Sequence, residues 1–171
     1  MRKHYFQCVL VFIFFLTEIV SAQESKQYPC TADPQYQVLN FWIGTWDVYE
    51  GNQKVGQNRI ESVLHSCAVI EHWRDMQGHE GKSFFYLDRV TKNWKQVWVT
   101  DQGPMKEKTL QKVGPDGSLL FQGQVLSRDG KIIYDRTTLS RQGENVRQVI
   151  EQSKDEGKTW IVGFDAIYKR H

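Results

Sequence analysis

The sequence carries no surplus of either charge. Its 22 lysine and arginine residues nearly balance its 20 aspartate and glutamate residues, so the formal net charge is only +2 at pH 7. A protein that binds nucleic acid through backbone phosphates usually carries a clear basic excess. No acidic tail occurs either. We therefore predict no nucleic-acid partner.

Long apolar runs are also scarce, and the one that stands out lies near the N-terminus. Residues 9–16 are all apolar, follow a basic start at residues 2–4, and precede the small residues Val20-Ser21-Ala22. This order is typical of a secretory signal peptide. The run is too short to cross a hydrocarbon core of about 30 Å, which disfavours the alternative of a membrane anchor. We predict a cleaved signal peptide at 1–22, a secreted or periplasmic protein, and no stable membrane span after cleavage.

Cysteine is rare, with three residues in the chain. Cys8 lies in the predicted signal peptide, which leaves Cys30 and Cys67 as an even pair in an oxidising compartment. The 36 residues between them fit neither a C-x-x-C redox motif nor the spacing of a zinc site. We predict a structural disulfide between Cys30 and Cys67 that ties the N-terminal arm to a strand.

Familiar catalytic motifs are absent. The sequence contains no G-x-S-x-G, H-E-x-x-H, Walker A or dinucleotide-binding glycine pattern. His65, His72 and His79 are spaced by seven and straddle two predicted strands and a turn, so they are not expected to meet. We predict neither a metal site nor a cofactor.

From Gly44 onward the chain also lacks a helical period. Short alternating runs are separated by turns such as Asp116-Gly117 and Asp129-Gly130, where glycine accepts a positive φ. Ten strands are predicted, near 44–50, 57–65, 68–76, 80–88, 93–100, 104–113, 118–127, 131–139, 144–153 and 158–169. Short connections favour a single antiparallel up-and-down β-barrel over residues 41–171. Residues 23–40 are predicted to form an arm, with a helical turn near 36–42 that plugs one end.

Strand alternation assigns the faces when lysine and arginine are taken as outward markers. The last strand then turns Trp160, Val162, Phe164, Ala166 and Tyr168 inward. The residues predicted to bind a ligand inside the barrel are Glu71, Trp73, Ser83, Phe85, Trp94, Gln96, Trp98 and Gln148. Several of these are polar, and a solid core would not need them, because an unpartnered buried polar group costs about 1–3 kcal/mol. We therefore predict an aromatic-lined cavity with a few placed polar groups. The alternative is that Glu71 lies at a rim in water and the other polar groups bond to one another.

Residues 153–160 fit the Asp-box pattern S-x-D-x-G-x-T-W, which recurs in the blades of sialidase-type propellers. Here the pattern occurs once, so we interpret it as a structural hairpin turn.

Five short motifs carry a resemblance to known barrels. They are residues 41–46 (Phe-Trp-Ile-Gly-Thr-Trp), Cys67-x-Val-Ile-Glu71-x-Trp73, Gly81-Lys-Ser83, Trp94-x-Gln96-x-Trp98 and the turn at 153–160. Across residues 38–170 the chain resembles lipocalin and calycin barrels, and more closely the bacterial barrels of domain of unknown function 1579 and the nitrobindin-like family. Nitrobindin-like barrels hold haem iron through a histidine in a C-terminal strand. Here residues 160–169 contain no histidine, and His171 lies beyond them.

The sequence thus predicts a secreted or periplasmic barrel that binds a small, partly hydrophobic ligand. One alternative is an enzyme of isomerase or hydrolase type that uses Glu71 as a general base in the same cavity, because burial raises the pKa of a carboxyl group. A weaker alternative is a structural or interaction module with a packed interior.

Overall fold

The structure, a computed structural model, describes residues 28–127 and 129–171. The predicted signal peptide at 1–22 lies outside the described residues. None of the helices in the described part of the chain is long and apolar enough to cross a membrane.

A closed barrel of ten antiparallel strands forms the body of the protein, which confirms the predicted fold. A short helix α1 (Pro29–Ala32) and two 3-10 turns (Pro34–Tyr36 and Asn40–Trp42) precede it. The strands are β1 (Gly44–Glu50), β2 (Gln53–Val63), β3 (Ala68–Asp75), β4 (Glu80–Asp88), β5 (Asn93–Thr100), β6 (Met105–Val113), β7 (Leu119–Leu126), β8 (Ile132–Gln142), β9 (Asn145–Ser153) and β10 (Ile161–Arg170). Each strand pairs with its neighbours in sequence, and β10 pairs with β1 to close the sheet.

An up-and-down order places alternate turns at opposite ends of the barrel. The turns after β1, β3, β5, β7 and β9 surround one end, which we call the open end. The turns after β2, β4, β6 and β8 surround the other, the closed end, together with the N-terminal segment that leads into β1.

The closed end is filled by the apolar core. The 3-10 turns insert Leu39 and Trp42, both fully buried, as predicted for a plug in this segment. The Trp42 ring meets Phe85 and Tyr168 edge-on at centroid distances of 5.7 and 6.1 Å. Edge-to-face contacts of this kind add to the stabilisation from apolar burial.

The Cys30–Cys67 disulfide is present, as predicted. It joins α1 to the turn between β2 and β3 and thereby holds the N-terminal segment against the closed end. The cysteines are 37 positions apart, so the bond removes considerable conformational freedom from the unfolded chain.

Replacing both cysteines, as Cys30→Ala/Cys67→Ala, should lower the free energy of unfolding by about 2–4 kcal/mol, as expected for a loop of this length. Urea unfolding followed by circular dichroism measures it. Dithiothreitol should lower the stability of the wild-type protein to that of the variant and leave the variant unchanged. Equal stability of wild type and variant without reductant would contradict the constraint.

The last strand departs from the predicted alternation. Its pairing with β9 shifts between Val162 and Phe164, so Gly163 is an extra residue and Val162 changes face. The prediction that Val162 points inward is therefore wrong, and its side chain is 54 % exposed. Beyond the bulge, Ala166 and Tyr168 are buried inside as predicted.

Trp160 also lies outside the barrel, because it belongs to the turn before β10. The guanidinium of Arg136 lies over its ring at 4.0 Å, and its indole N–H donates to the Gly157 carbonyl oxygen. In the same turn, the Ser153 hydroxyl oxygen accepts from the Gly157 N–H at 2.8 Å and an Asp155 carboxyl oxygen accepts from the Thr159 N–H at 2.9 Å. Residues 153–160 thus form the structural turn that the Asp-box pattern predicts.

Candidate functional site

A cavity of about 430 Å³ occupies the open half of the barrel. The strands that surround it carry inward side chains in two levels. Nearest the open end is an aromatic and aliphatic wall, formed by Trp73, Trp98, Ile150 and Phe164. Halfway down the barrel is a level that we call the polar layer: Asn58, Glu71, Ser83, Gln96, Lys108, Thr137, Gln148 and Tyr168.

Two glycines make room for the tryptophans of the wall. A Cβ on Gly56 would lie 2.4 Å from the Trp73 ring, and a Cβ on Gly81 would lie 2.9 Å from the Trp98 indole nitrogen. Each ring therefore lies against a strand position that has no side chain. Trp73 also meets Phe164 edge-on at 6.2 Å, which joins β3 to β10 across the cavity wall.

Glu71 is the centre of a buried hydrogen-bond network. Its carboxyl oxygens accept from the Asn58 amide at 2.7 Å and from the Ser83 hydroxyl at 2.5 Å. The side chain is 5 % exposed, and burial raises its pKa despite the opposing effects of those two hydrogen bonds and of the Lys108 charge.

The network fixes the orientation of the Gln96 amide. Ser83 has one hydroxyl hydrogen, which goes to Glu71, so its oxygen accepts from the Gln96 amide nitrogen at 3.0 Å. The Gln96 amide oxygen then lies buried with no hydrogen-bond partner in the part of the chain that the structure describes.

Tyr168 connects the other side of the polar layer. Its hydroxyl donates to the Gln148 side-chain oxygen, and it is 3.4 Å from the Asn58 amide nitrogen. Burial raises the Tyr168 pKa well above its ordinary value, with a further contribution from the Glu71 charge. The phenol therefore stays neutral and serves as a hydrogen-bonding group.

Next to this network lies a group of three charged residues, Lys106, Lys108 and Asp135, that we call the ion cluster. Asp135 is fully buried and forms ion pairs with both lysines, at 2.8 Å for Lys106. The Lys108 ammonium also donates to the Thr137 hydroxyl at 2.5 Å. Burial would raise the pKa of Asp135, but the two lysines together hold it below its usual value.

Gly123 lies on β7, between the strands that carry Lys108 and Asp135, and a Cβ there would lie 1.9 Å from the Glu107 carbonyl oxygen. The close approach of the β6 backbone therefore requires glycine at this position. The Lys108 side chain spans β7 to reach Asp135 and Thr137 on β8. Burial lowers the pKa of Lys108 to about 8, although the Asp135 charge acts in the opposite direction.

Five of the eight residues predicted to bind a ligand line the cavity: Glu71, Trp73, Gln96, Trp98 and Gln148. Ser83 lies behind Glu71 and bonds to it. Phe85 and Trp94 lie outside the cavity lining, in the apolar core of the closed half. Phe85 packs against Phe121 at 5.5 Å, and the Trp94 indole N–H donates to the Gln35 carbonyl oxygen. Alternation identifies the inward face correctly for both but does not tell how deep along the barrel a residue lies.

The sequence analysis did not identify Asn58, Lys108, Asp135 and Thr137 as residues of the site. The use of lysine as an outward marker hides Lys108, whose side chain is 3 % exposed. For β8, a signal was present: Asp135 and Thr137 alternate in phase with Ile133 and Leu139, which are also buried.

The three histidines of the seven-residue spacing lie apart. His65 stacks on Tyr28 at the closed end, His72 contacts Glu61 on the outer face, and His79 lies near the open end. Across residues 28–127 and 129–171, no group of three or more His, Cys, Asp or Glu side chains is placed to hold a metal ion.

No protein-family model matches the chain, and no curated protein matches it either.

Proposed function

We propose that the protein binds a small, partly apolar molecule inside the open half of its barrel. The observation that carries this proposal is the cavity of about 430 Å³ in which an aromatic wall meets a buried polar layer. Small-molecule sites combine a mostly apolar lining with a few placed polar groups in this way. The resemblance to lipocalin-like and nitrobindin-like barrels supports the same function.

The unpartnered Gln96 oxygen supports a ligand that carries a hydrogen-bond donor. A buried acceptor without a donor costs about 1–3 kcal/mol, and a ligand hydroxyl or N–H group would remove that cost. A module with a packed interior has no use for such a group. The cavity therefore favours binding over a purely structural role.

Catalysis with Glu71 as a general base is the second candidate function, supported by the raised pKa of this carboxyl group. Both carboxyl oxygens already accept hydrogen bonds from Asn58 and Ser83, which favours a positioning role instead. Glu71→Gln separates the two functions, because it would abolish base catalysis but leave ligand binding in place.

We also infer that the protein works outside the cytoplasm. The Cys30–Cys67 disulfide supports this inference, because such bonds persist in oxidising compartments.

An uncharged fluorescent probe tests binding without any contribution from charge. We expect N-phenyl-1-naphthylamine to bind saturably, and Trp73→Ala to weaken it at least about tenfold through loss of an aromatic contact. Trp160→Ala is the matched control, since it removes the same ring from outside the barrel, and should change affinity less than about twofold.

Native mass spectrometry of protein from its own host should show a retained ligand. Equal effects of the two substitutions, or no saturable binding and no retained ligand, would contradict the proposal.

A further inference from the structure

The ion cluster places one more positive than negative charge beside the cavity. Lys106 and Lys108 both line the cavity, whereas Asp135, which pairs with both, is fully buried behind them. A net charge in a site of low dielectric is costly unless a counter-charge lies near it.

Lys108 retains hydrogen-bonding capacity toward the cavity. Its ammonium has three hydrogens, and Asp135 and Thr137 take two of them. Lys106 is 22 % exposed, and its ammonium lies 5.5 Å from the centre of the Trp98 ring, at the boundary between the wall and the polar layer. Both ammonium groups thus lie on the same Asp135 carboxylate and line the same cavity.

Glu71 does not supply the missing negative charge. The two hydrogen bonds to its carboxyl group come from Asn58 on β2 and Ser83 on β4. The other titratable groups that line the cavity are Lys106 and Lys108 on β6, Tyr168 on β10, and Glu50, Lys54 and Asp75 near the open end. Asp135 on β8 lies beyond the lysines. Both Glu71 oxygens are taken up by the Asn58 and Ser83 donors, and in the part of the chain that the structure describes Glu71 forms no ion pair with Lys106 or Lys108, so Asp135 is the carboxylate that the two lysines share.

We propose that the ligand of this cavity is an organic monoanion whose carboxylate binds between Lys106 and Lys108 while its apolar body lies against Trp73 and Phe164. This inference rests on the proposed binding function and names the class of ligand. A cation would face two ammonium groups, and a neutral molecule would leave the excess charge uncompensated. A monoanion makes the cluster neutral.

Pairs of acids and amides of the same shape test the charge requirement. The probes are 2-naphthoate, 4-phenylbutyrate and cyclohexanecarboxylate, each compared with its primary amide by isothermal titration calorimetry at pH 7. For each acid that binds, we expect the affinity to be at least tenfold higher than that of the corresponding amide. Lys106→Gln should reduce that preference several-fold, and Lys108→Met should reduce it further. Lys112→Gln is the control, because it removes the same charge from an exposed position on the same strand.

The affinity for the acid should also fall as the pH rises. Burial lowers the pKa of Lys108 to about 8, so above this pH Lys108 loses its positive charge. We expect at least a tenfold loss of acid affinity between pH 6 and pH 9, and less than a twofold change for the amide.

The possible results separate this inference from the proposed function. If amides bind as tightly as acids, or if neither series binds while N-phenyl-1-naphthylamine does, the monoanion is wrong and the binding function stands. If neither the two series nor the uncharged probe binds, both fail. Acid binding that is unaffected by Lys106→Gln and Lys108→Met would place the acid elsewhere and overturn the inference. Should Lys108→Met fail to fold, the result for Lys106→Gln alone tests the inference, since Lys106 is partly exposed and glutamine retains most of its side-chain length.

Discussion

Replacing Trp46 by alanine should lower the free energy of unfolding by about 3–5 kcal/mol, the range for deleting a large buried side chain. The Trp46 ring is fully buried near the junction of β1 and β10, where Arg170 lies over it at 4.2 Å. Its indole N–H donates to the Trp42 carbonyl oxygen at 2.8 Å, which fastens the plug of the closed end to the first strand. Alanine would remove the ring, this hydrogen bond and the support of the plug at once.

Urea unfolding measures this loss. Trp46→Phe should cost less, because it retains most of the packing and loses the hydrogen bond, which contributes about 0.5–1.5 kcal/mol. Trp160→Ala is the matched control at a half-buried site outside the barrel, and should cost less than Trp46→Ala. A loss below about 1 kcal/mol for Trp46→Ala would contradict the burial of this ring.

Replacing Asp135 by alanine should cost about 3–5 kcal/mol at pH 7, because the change leaves the buried Lys108 ammonium without its carboxylate. The pKa of Asp135 in the folded protein lies below its ordinary value of 3.8, so its stabilising contribution is fully present at pH 7. Lys106 would lose the same partner but is open to solvent on one side.

The pH dependence of this loss identifies its cause. Burial lowers the pKa of Lys108 to about 8, and removal of the Asp135 charge should lower it further. At pH 10 the amine is neutral in the folded variant, so the loss should be smaller than at pH 7. The double variant Asp135→Ala/Lys108→Met should recover at least half of the stability, because it leaves no buried ammonium. An equal loss at both pH values, or no recovery in the double variant, would show that the buried charge is not responsible.

The barrel itself could be predicted because the alternation along the strands and the residues in the turns both indicate the same fold. Apolar residues alternate along each strand, and the turns contain glycines such as Gly117 and Gly130, each with φ of 79°. Ten strands joined in order by short turns can bury their apolar faces in few arrangements other than a closed barrel. The alternation also places Glu71 and Gln96 on the inner face, where the structure has them.

The remaining features of the site depend on tertiary structure. Alternation predicts that Phe85 and Gln96 both point into the barrel. The plug fills the closed half, so Phe85 belongs to the apolar core while Gln96 lines the cavity. Lys108 can be buried because it forms an ion pair with Asp135, which lies two strands away on β8. The residue pattern within β6 or within β8 alone does not reveal this pairing. The outward turn of Val162 depends on one extra residue in the β9–β10 pairing, Gly163, and although a glycine inside a strand can mark such a bulge, alternation alone does not show it.

The pairing of β1 with β10 has a consequence for how the chain folds. Residues that meet across this seam are far apart in sequence: the Asp165 N–H on β10 donates to the Glu50 carboxyl group on β1, 115 positions away. Contacts at such separation slow folding. Until β10 is synthesised, β1 and β9 both present unpaired edges that other chains can add to. The ten residues of Ile161–Arg170 therefore pair both open edges at once and leave the sheet with no edge to which another chain could add.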